Sequence, residues 1–317
     1  MPIRQMEQAM KNELQGQQAT REVSQYIIDY PAFHALREKM ERMLRSPDPR
    51  GLLIVGDTRV GKTTLAKSVL DVHPKTIIDG TPSVPALYIE IPTIPTEKSI
   101  ARALMLQLDV TTSRALSEQE LISRFARIAE YCRIKLVIID EFHHFTESSQ
   151  YPKLLRYANS VKSLMNRAGV SVVLMGLPSS RAILDKNQQL RGRFSSVQHI
   201  GAFAMEDTAQ FNDFLDVLRA LADKLPFENA QELAGELYGP RMWYATHGAL
   251  GYVKKLLIEA VETSDAANRK LSMALMEKAF TAAIWHDGVG KLNPFNRNFS
   301  HNLLDEVGQP FCPDMAF

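Results

Sequence analysis

The 317-residue sequence has little cysteine, no long apolar run and no surplus of either charge. Its two cysteines, Cys132 and Cys312, are too few for a disulfide framework, and no group of histidines and cysteines has the spacing of a zinc site. No segment approaches the roughly 18 consecutive apolar residues of a membrane span, and the amino terminus lacks the apolar core of a signal peptide. We therefore expect a soluble, cytoplasmic protein that makes no contact with a membrane.

The net charge of +1 excludes a strong overall field that would attract nucleic acid. Charge is nevertheless distributed unevenly, because residues 151–198 hold eight basic residues against one acid, and residues 200–240 hold eight acids against two basic residues. Two interpretations remain open: complementary faces that steer head-to-tail assembly, or helix faces that are merely solvated.

The content of 45% hydrophobic and 23% charged residues is that of a globular protein with a substantial core. Short apolar segments predict five strands, at 51–56, 85–91, 135–140, 171–177 and 197–203. Helical periodicity predicts helices at 26–44, 97–108, 118–131, 151–166, 207–224, 228–238, 249–263 and 272–286. Continuously apolar strands that alternate with helices predict an α/β fold with a parallel five-stranded sheet covered on both faces.

This pattern divides the chain into four segments. We expect a polar arm at 1–24, either frayed helix or flexible, and an α/β domain at 25–204. Only helices are predicted at 205–286, which indicates a small helical domain. Residues 287–317 lack a core period, with Phe295 and Phe299 expected to be exposed, and are predicted to be a tail that contacts a partner.

The octapeptide GDTRVGKT, residues 56–63, lies between the first strand and a helix and matches G-x-x-x-x-G-K-[ST]. Backbone amides of such a loop and of the helix amino terminus converge on one point and suit a phosphate. Gly56 and Gly61 permit the tight path, Lys62 reaches the β- and γ-phosphates, and the Thr63 hydroxyl completes magnesium coordination. The motif predicts ATP and Mg²⁺ as ligands. The predicted nucleotide contacts in this loop are Gly56, Asp57, Thr58, Arg59, Val60, Gly61, Lys62, Thr63 and Thr64.

A second motif, LVIIDE at 136–141, places two acids at the carboxyl end of a buried strand, where α/β sheets bind ligands. Asp140 is predicted to hold Mg²⁺ together with Thr63, and Glu141 to act as general base. For His143 and His144, hydrogen bonding around the site or an exposed helix start is favoured over catalysis. The letters DEFH also suggest a helicase. We reject that function because a helicase needs a second RecA-like domain, and the sequence does not predict one.

Two arginines in QLRGRFSSV, residues 189–197, precede the last strand. With the two motifs above, this segment resembles the AAA+ superfamily, in which an arginine at this point reaches the γ-phosphate in the neighbouring subunit. The resemblance implies Arg193 for that role, with Arg191 as the alternative, and an oligomer with shared active sites. It further implies Ser179 or Ser180 as a γ-phosphate sensor and Lys254 or Lys255 as a phosphate contact.

Within AAA+ proteins, residues 26–297 resemble the transposition regulators TnsC and TniB. The features that carry this resemblance are YPAFHALREKMERML, GDTRVGKTTL, IIDEFHHF, VLMGLPSS, QLRGRF, ATHGALGYVKKLL and NPF. The resemblance implies an ATPase that forms a ring or helical filament on target double-stranded DNA. It would link a target-selection protein of TniQ type to the transposase, with hydrolysis controlling assembly and disassembly.

The same resemblance places DNA contacts after the second strand, on Lys98, Arg102 and Arg114. Such contacts bind phosphate independently of base sequence, and many protomers on one duplex compensate for a weakly basic protomer. Other functions remain as alternatives: a signalling switch ATPase that binds only proteins, or a relative of clamp loaders and origin-recognition proteins.

Overall fold

The computed structural model describes residues 3–96, 98–113, 115–147, 151–266 and 269–312. They form two compact units. The α/β unit spans Pro31–Gly201, and the helical unit combines the described residues up to Tyr30 with those from Ala202 onward.

Within these described ranges, seven strands form two sheets. In chain order they are β1 Gly51–Val55, β2 Thr76–Ile78, β3 Thr81–Ser83, β4 Ala86–Glu90, β5 Leu136–Asp140, β6 Ser171–Gly176 and β7 Phe194–His199. Five of them pair in parallel in the order β4-β5-β6-β1-β7. Strands β1, β5 and β6 are buried at every residue, as expected for central strands with both faces covered.

Thirteen α-helices occur in the described residues. In chain order they are α1 Ile3–Gln25, α2 Pro31–Leu44, α3 Lys62–Val72, α4 Ser99–Gln107, α5 Glu118–Tyr131, α6 His143–Glu147, α7 Tyr151–Ala168, α8 Ala182–Asp185, α9 Gln188–Arg191, α10 Thr208–Ala222, α11 Gly239–Thr246, α12 Leu250–Thr263 and α13 Met273–Ala283. Short 3-10 helices lie at Pro178–Arg181, Ala230–Ala234 and Gly290–Leu292.

The predicted α/β class and parallel five-stranded sheet are confirmed. Some boundaries were wrong: β7 begins at Phe194, three residues before the predicted start, and α2 begins at Pro31 because proline suits the first helical turn. The predicted helix at 228–238 is instead a short 3-10 helix followed by Gly235 in extended conformation. Strands β2 and β3 form an antiparallel hairpin that the sequence pattern does not predict.

The strand register places the ends of several strands at one edge of the sheet. Val55 pairs with Gly176, and Glu90 pairs with Asp140. Because all five strands are parallel, the segments that follow β1, β4, β5 and β6 leave the sheet at this carboxyl edge. This edge therefore brings the two predicted nucleotide motifs together.

The amino-terminal segment differs from the predicted arm. Residues Ile3–Gln25 form one helix, α1, which packs against α12 in the helical unit, with Ala19 and Val23 buried. The Nζ of Lys254 on α12 donates hydrogen bonds to the carbonyl oxygens of Ser24 at 3.3 Å and Tyr26 at 2.5 Å. Burial and these contacts order the described part of the segment.

The expected exposure of Phe295 and Phe299 was also wrong, since their exposed fractions are 1% and 6%. The amide of fully buried Asn293 donates to the carbonyl oxygens of Glu277 at 3.0 Å and Gly288 at 2.8 Å. An irregular segment without a helical or strand period can thus still belong to the core. In the part of the chain that the structure describes, no helix combines the length and apolarity needed to cross a bilayer.

Candidate nucleotide site

The loop between β1 and α3 needs glycine at two positions. A Cβ added to Gly56 would lie 2.0 Å from the carbonyl oxygen of Ile200, and the Gly56 amide donates to the Gly176 carbonyl at 3.1 Å. Gly61 has φ of 106°, in the left-handed region that favours glycine. Gly61 caps α3 without a side-chain hydrogen bond, so the amides of the first helical turn remain directed at the loop.

Lys62 is the first residue of α3 and only 7% exposed. Its Nζ donates hydrogen bonds to the carbonyl oxygens of Gly56 and Asp57, each at 2.6 Å. Burial lowers the pKa of Lys62, while the carboxylates of Asp140, Glu141 and Asp57 oppose that shift. Lys62 thus binds two carbonyl oxygens of its own loop, and its ammonium lies in the electrostatic field of the two predicted acids, Asp140 and Glu141.

Asp140 is the centre of a hydrogen-bond network. Its fully buried carboxylate accepts from the Thr63 hydroxyl at 2.7 Å, the Tyr88 hydroxyl at 3.1 Å and the Glu141 amide at 2.8 Å. Burial, together with the charge of Asp140, raises the pKa of Tyr88, so the phenol remains a donor. Sequence reasoning missed Tyr88, because an aromatic residue in an apolar strand resembles core. Its contact with Asp140 follows from the pairing of β4 with β5, for which the sequence carries no signal.

Glu141 has a φ of 55°, which a residue other than glycine rarely adopts. Such backbone strain is concentrated at functional sites. The side chain is 33% exposed, and its Oε2 lies 3.3 Å from Nδ1 of buried His143. The ring of His144 lies 4.3 Å from that of His143, and the three side chains bring ligand atoms within 4.8 Å of one another. His143 therefore lies beside the predicted general base, and the role of the two histidines stays a prediction.

These groups fit a magnesium nucleotide. The amides that begin α3 and the Lys62 ammonium are suited to phosphate oxygens. Thr63 Oγ1 and Asp140 Oδ2, 2.7 Å apart, are the hard oxygen donors that Mg²⁺ prefers. In the loop, Asp57, Thr58 and Arg59 are exposed and Val60 is buried.

The other predicted nucleotide contacts differ in their surroundings. Ser179 is exposed on the 3-10 helix after β6, whereas Ser180 is fully buried, and a Cβ on Gly176 would lie 2.3 Å from its Oγ. Ser180 therefore packs against the carboxyl end of β6, and the choice between the two serines as sensor stays a prediction. Lys254 binds carbonyl oxygens of its own unit, and Lys255 is exposed.

The two candidate arginines have different surroundings. The Arg191 guanidinium donates to the carbonyl oxygens of Leu184 at 3.1 Å and Asp185 at 2.8 Å, so it is held within its own protomer. Exposed Arg193 has no side-chain hydrogen bond or ion pair with any residue in the described ranges, and its carbonyl accepts from the Gly51 amide at 3.0 Å. A fixed backbone thus presents an available guanidinium.

The candidate DNA contacts lie near the second predicted strand. Lys98 precedes α4, and its Nζ donates to the carbonyl oxygen of Leu116 at 2.6 Å. Arg102 is half-buried on α4. Arg114 lies outside the described residues.

Comparison with known protein families agrees with this geometry. A family model described as "Bacterial TniB protein" matches residues 20–201, which is more than half of the chain. The chain belongs to the TniB family. TniB proteins are transposition-associated AAA+ ATPases, and this membership confirms the family predicted from the motifs. The chain is accordingly an ATPase that binds nucleotide and serves a DNA-related process.

Solved structures show the same fold at low sequence identity. The ORC2 protein of Aeropyrum pernix in its ADPNP–ADP complexes has a TM-score of 0.58 and 16% identity, over 83% of this chain and 71% of that one. Cdc6p from Pyrobaculum aerophilum has a TM-score of 0.61 and 12% identity, over 84% and 70%. The A. pernix ORC1 protein in complex with DNA has a TM-score of 0.56 and 15% identity, over 80% and 64%. No curated protein sequence matches the chain.

Proposed function

We propose that this TniB-family ATPase assembles as a ring or helical filament on target double-stranded DNA and links a TniQ-type target-selection protein to the transposase. ATP hydrolysis then controls its assembly and disassembly. The observation that carries the proposal is the joining of the phosphate loop, the Thr63–Asp140 pair and Glu141 at one sheet edge of a TniB-family chain.

Several side chains have separate roles in hydrolysis. Lys62 exchanges its hydrogen bonds to loop carbonyls for the β- and γ-phosphates of ATP, and Ser179 senses the γ-phosphate. Thr63 and Asp140 would hold Mg²⁺, with Tyr88 orienting the aspartate. The chemistry that this ion would supply is neutralisation of charge on the phosphates. Glu141 polarises the attacking water, and His143 holds the carboxylate of Glu141.

Arg193 completes the site of the neighbouring protomer. An uncommitted guanidinium on a fixed backbone can stabilise γ-phosphate charge through two parallel hydrogen bonds. Arg191 is less suited, because it would first have to leave the carbonyl oxygens that it binds. Hydrolysis therefore depends on assembly.

Binding to DNA is supported by the family and by two structures of similar fold. The A. pernix ORC1 protein was solved in complex with DNA, and Drosophila ORC, with a TM-score of 0.52, was solved bound to DNA. Lys98 and Arg102, with Arg114 from the sequence, supply phosphate contacts. An origin-recognition type of function is the second candidate, since the ORC and Cdc6 structures share the fold.

The test is nucleotide-dependent assembly of Glu141→Gln. This variant should bind ATP, hydrolyse it at least 100-fold more slowly, and accumulate as rings or filaments on duplex DNA in electron micrographs. Lys62→Ala, which removes the phosphate ligand, should give neither nucleotide binding nor assembly. Discrete particles unaffected by DNA would support a protein-binding switch instead, and normal hydrolysis by Glu141→Gln would remove Glu141 as the base.

A further inference from the structure

An open groove of about 570 Å³ lies on the α/β unit between α5 and α7, away from the residues assigned above to nucleotide. Three exposed arginines line it: Arg124 and Arg127 on α5, and Arg167 at the end of α7. This arginine groove is lined in addition by Leu116, Ser117, Gln119, Glu120 and Ser123.

The positive charge of the arginine groove is largely uncompensated. Among the residues that the structure describes, none of the three arginines forms an ion pair with a carboxylate, and Arg167 donates only to the Ser123 hydroxyl at 3.0 Å. The single lining acid, Glu120, accepts from the amide of Ser117 at 2.7 Å and from its hydroxyl at 2.6 Å. These hydrogen bonds lower the pKa of Glu120 and commit its carboxylate to capping α5. Three guanidinium groups therefore face solvent against one occupied carboxylate.

The groove is continuous with a residue already assigned to DNA. Lys98 Nζ binds the carbonyl oxygen of Leu116 at 2.6 Å, and Leu116 lines the groove. The charge of Lys98 also acts on Glu120. The basic surface thus extends from the start of α4 along α5.

The lining chemistry identifies the class of ligand. Protein partners dock on apolar and aromatic anchors, and single-stranded nucleic acid stacks on aromatic side chains. Among the lining residues that the structure describes, Leu116 is the sole apolar one and none is aromatic. Guanidinium groups, by contrast, match the oxygen geometry of phosphate.

We propose that the arginine groove binds the phosphate backbone of duplex DNA, independently of base sequence, beyond the contacts that the TniB resemblance implies. This inference rests on the proposed function, because it assumes that the assembled protein binds duplex.

The test compares two double variants of the full chain. Arg124→Gln with Arg127→Gln removes two groove charges, and Arg42→Gln with Arg45→Gln removes two charges at the carboxyl end of α2, where the side chains are 64% and 70% exposed. Affinity for unrelated duplexes is measured with a slowly hydrolysed ATP analogue over a range of salt concentrations. The groove variant should bind every duplex more weakly, and its log–log salt slope should fall by about 1.8, or about 0.9 for each lost phosphate contact. ATP hydrolysis without DNA should be unchanged, and the α2 variant should keep the wild-type slope.

The possible failures separate the two proposals. If wild type binds duplex and the groove variant has the affinity and slope of the α2 variant, the groove inference is overturned while the proposed function stands. If the groove variant, and not the α2 variant, fails to self-associate in the absence of DNA, the groove is an interface between copies of this chain and the inference is overturned. A loss confined to single-stranded DNA would also contradict the inference. Failure of wild type to bind any duplex would remove both proposals.

Discussion

At the scale of single residues, Tyr88 adds a contact at the carboxyl edge of the sheet that the two sequence motifs do not include. A motif reading assigns Asp140 to the metal, but the structure adds a phenol from the neighbouring strand that donates to the same carboxylate as Thr63. Asp140 is fully buried, and a buried carboxylate needs its hydrogen bonds to retain its charge and orientation. Tyr88 is therefore a positioning residue that acts through Asp140.

We predict that Tyr88→Phe weakens Mg²⁺ binding more than nucleotide binding. Loss of one hydrogen bond to a charged group costs about 1.5–3 kcal/mol, which corresponds to a roughly ten-fold or greater rise in the Mg²⁺ concentration needed for half-maximal hydrolysis. ATPase assays over a magnesium titration, with nucleotide affinity measured in parallel, check this. Tyr131→Phe, at an exposed tyrosine on α5, is the control. An unchanged magnesium midpoint would show that Tyr88 only fills space.

The phosphate-loop and acid-strand residues could be predicted because their spacing reflects the local chemistry of a strand, a tight turn and a helix. Tyr88 could not, because its contact with Asp140 depends on which strands are neighbours in the sheet. The role of Lys254 shows the same limit. A lysine in a family motif is expected on phosphate, and the structure adds contacts of its ammonium with the carbonyl oxygens of Ser24 on α1 and Tyr26 just after it, which the motif does not predict.

At the scale of elements, the turn from α9 into β7 distinguishes the two arginines. Arg191 holds the end of α8 through carbonyl oxygens, and Arg193 extends from a backbone fixed to β1. The former has a local structural role, and we propose the latter for contact with a second protomer.

We predict that Arg193→Ala lowers hydrolysis by assembled protein about 10³-fold or more and leaves nucleotide binding by a single subunit intact. Mixing Arg193→Ala with Glu141→Gln should restore part of the activity, because a protomer with intact Glu141 then meets a neighbour with intact Arg193. Steady-state ATPase assays of each variant and of the mixture measure this. Arg191→Ala is the matched variant and should be less active only through lower stability. If mixing restores nothing, the arginine does not act across protomers.

Element prediction succeeded where hydrophobic period and capping agreed. The bounds of α5, Glu118–Tyr131, were predicted to the residue, and Ser117 and Glu120 form a capping box there. The β2–β3 hairpin escaped prediction because its strands have three residues each and expose Ile77 and Ile78. Asp79-Gly80, both with positive φ, was the turn signal for it.

At the scale of the whole molecule, the irregular carboxyl-terminal segment is core rather than appendage. Phe295, Phe299 and Leu304 are buried in the helical unit, and the Arg241 guanidinium donates to the carbonyl oxygens of Pro294 and Asn296. Composition alone could not reveal this, because such a segment is fixed by side-chain burial and not by a repeating backbone pattern.

We predict that deletion of residues 288–317 destabilises the helical unit. Burial of each of the three apolar side chains contributes about 1.5–3 kcal/mol, and their sum is a large part of the 5–15 kcal/mol typical of a folded domain. Circular dichroism should show a lower thermal midpoint and reduced helix content. Deletion of 313–317, which removes none of these side chains, is the control. A truncated chain with the wild-type midpoint would restore the interpretation as a dispensable tail.

One strand connects Arg193 to the phosphate loop. Strand β1 begins at Gly51, whose amide donates to the Arg193 carbonyl, and is followed by Gly56, which lies against the Ile200 carbonyl after β7. Its five residues, about 17 Å in length, are buried throughout. In the assembly that we propose, the guanidinium for a neighbour's ATP and the loop for the protomer's own ATP would therefore be attached to opposite ends of one buried strand. Such an assembly would be mechanically continuous from one nucleotide to the next.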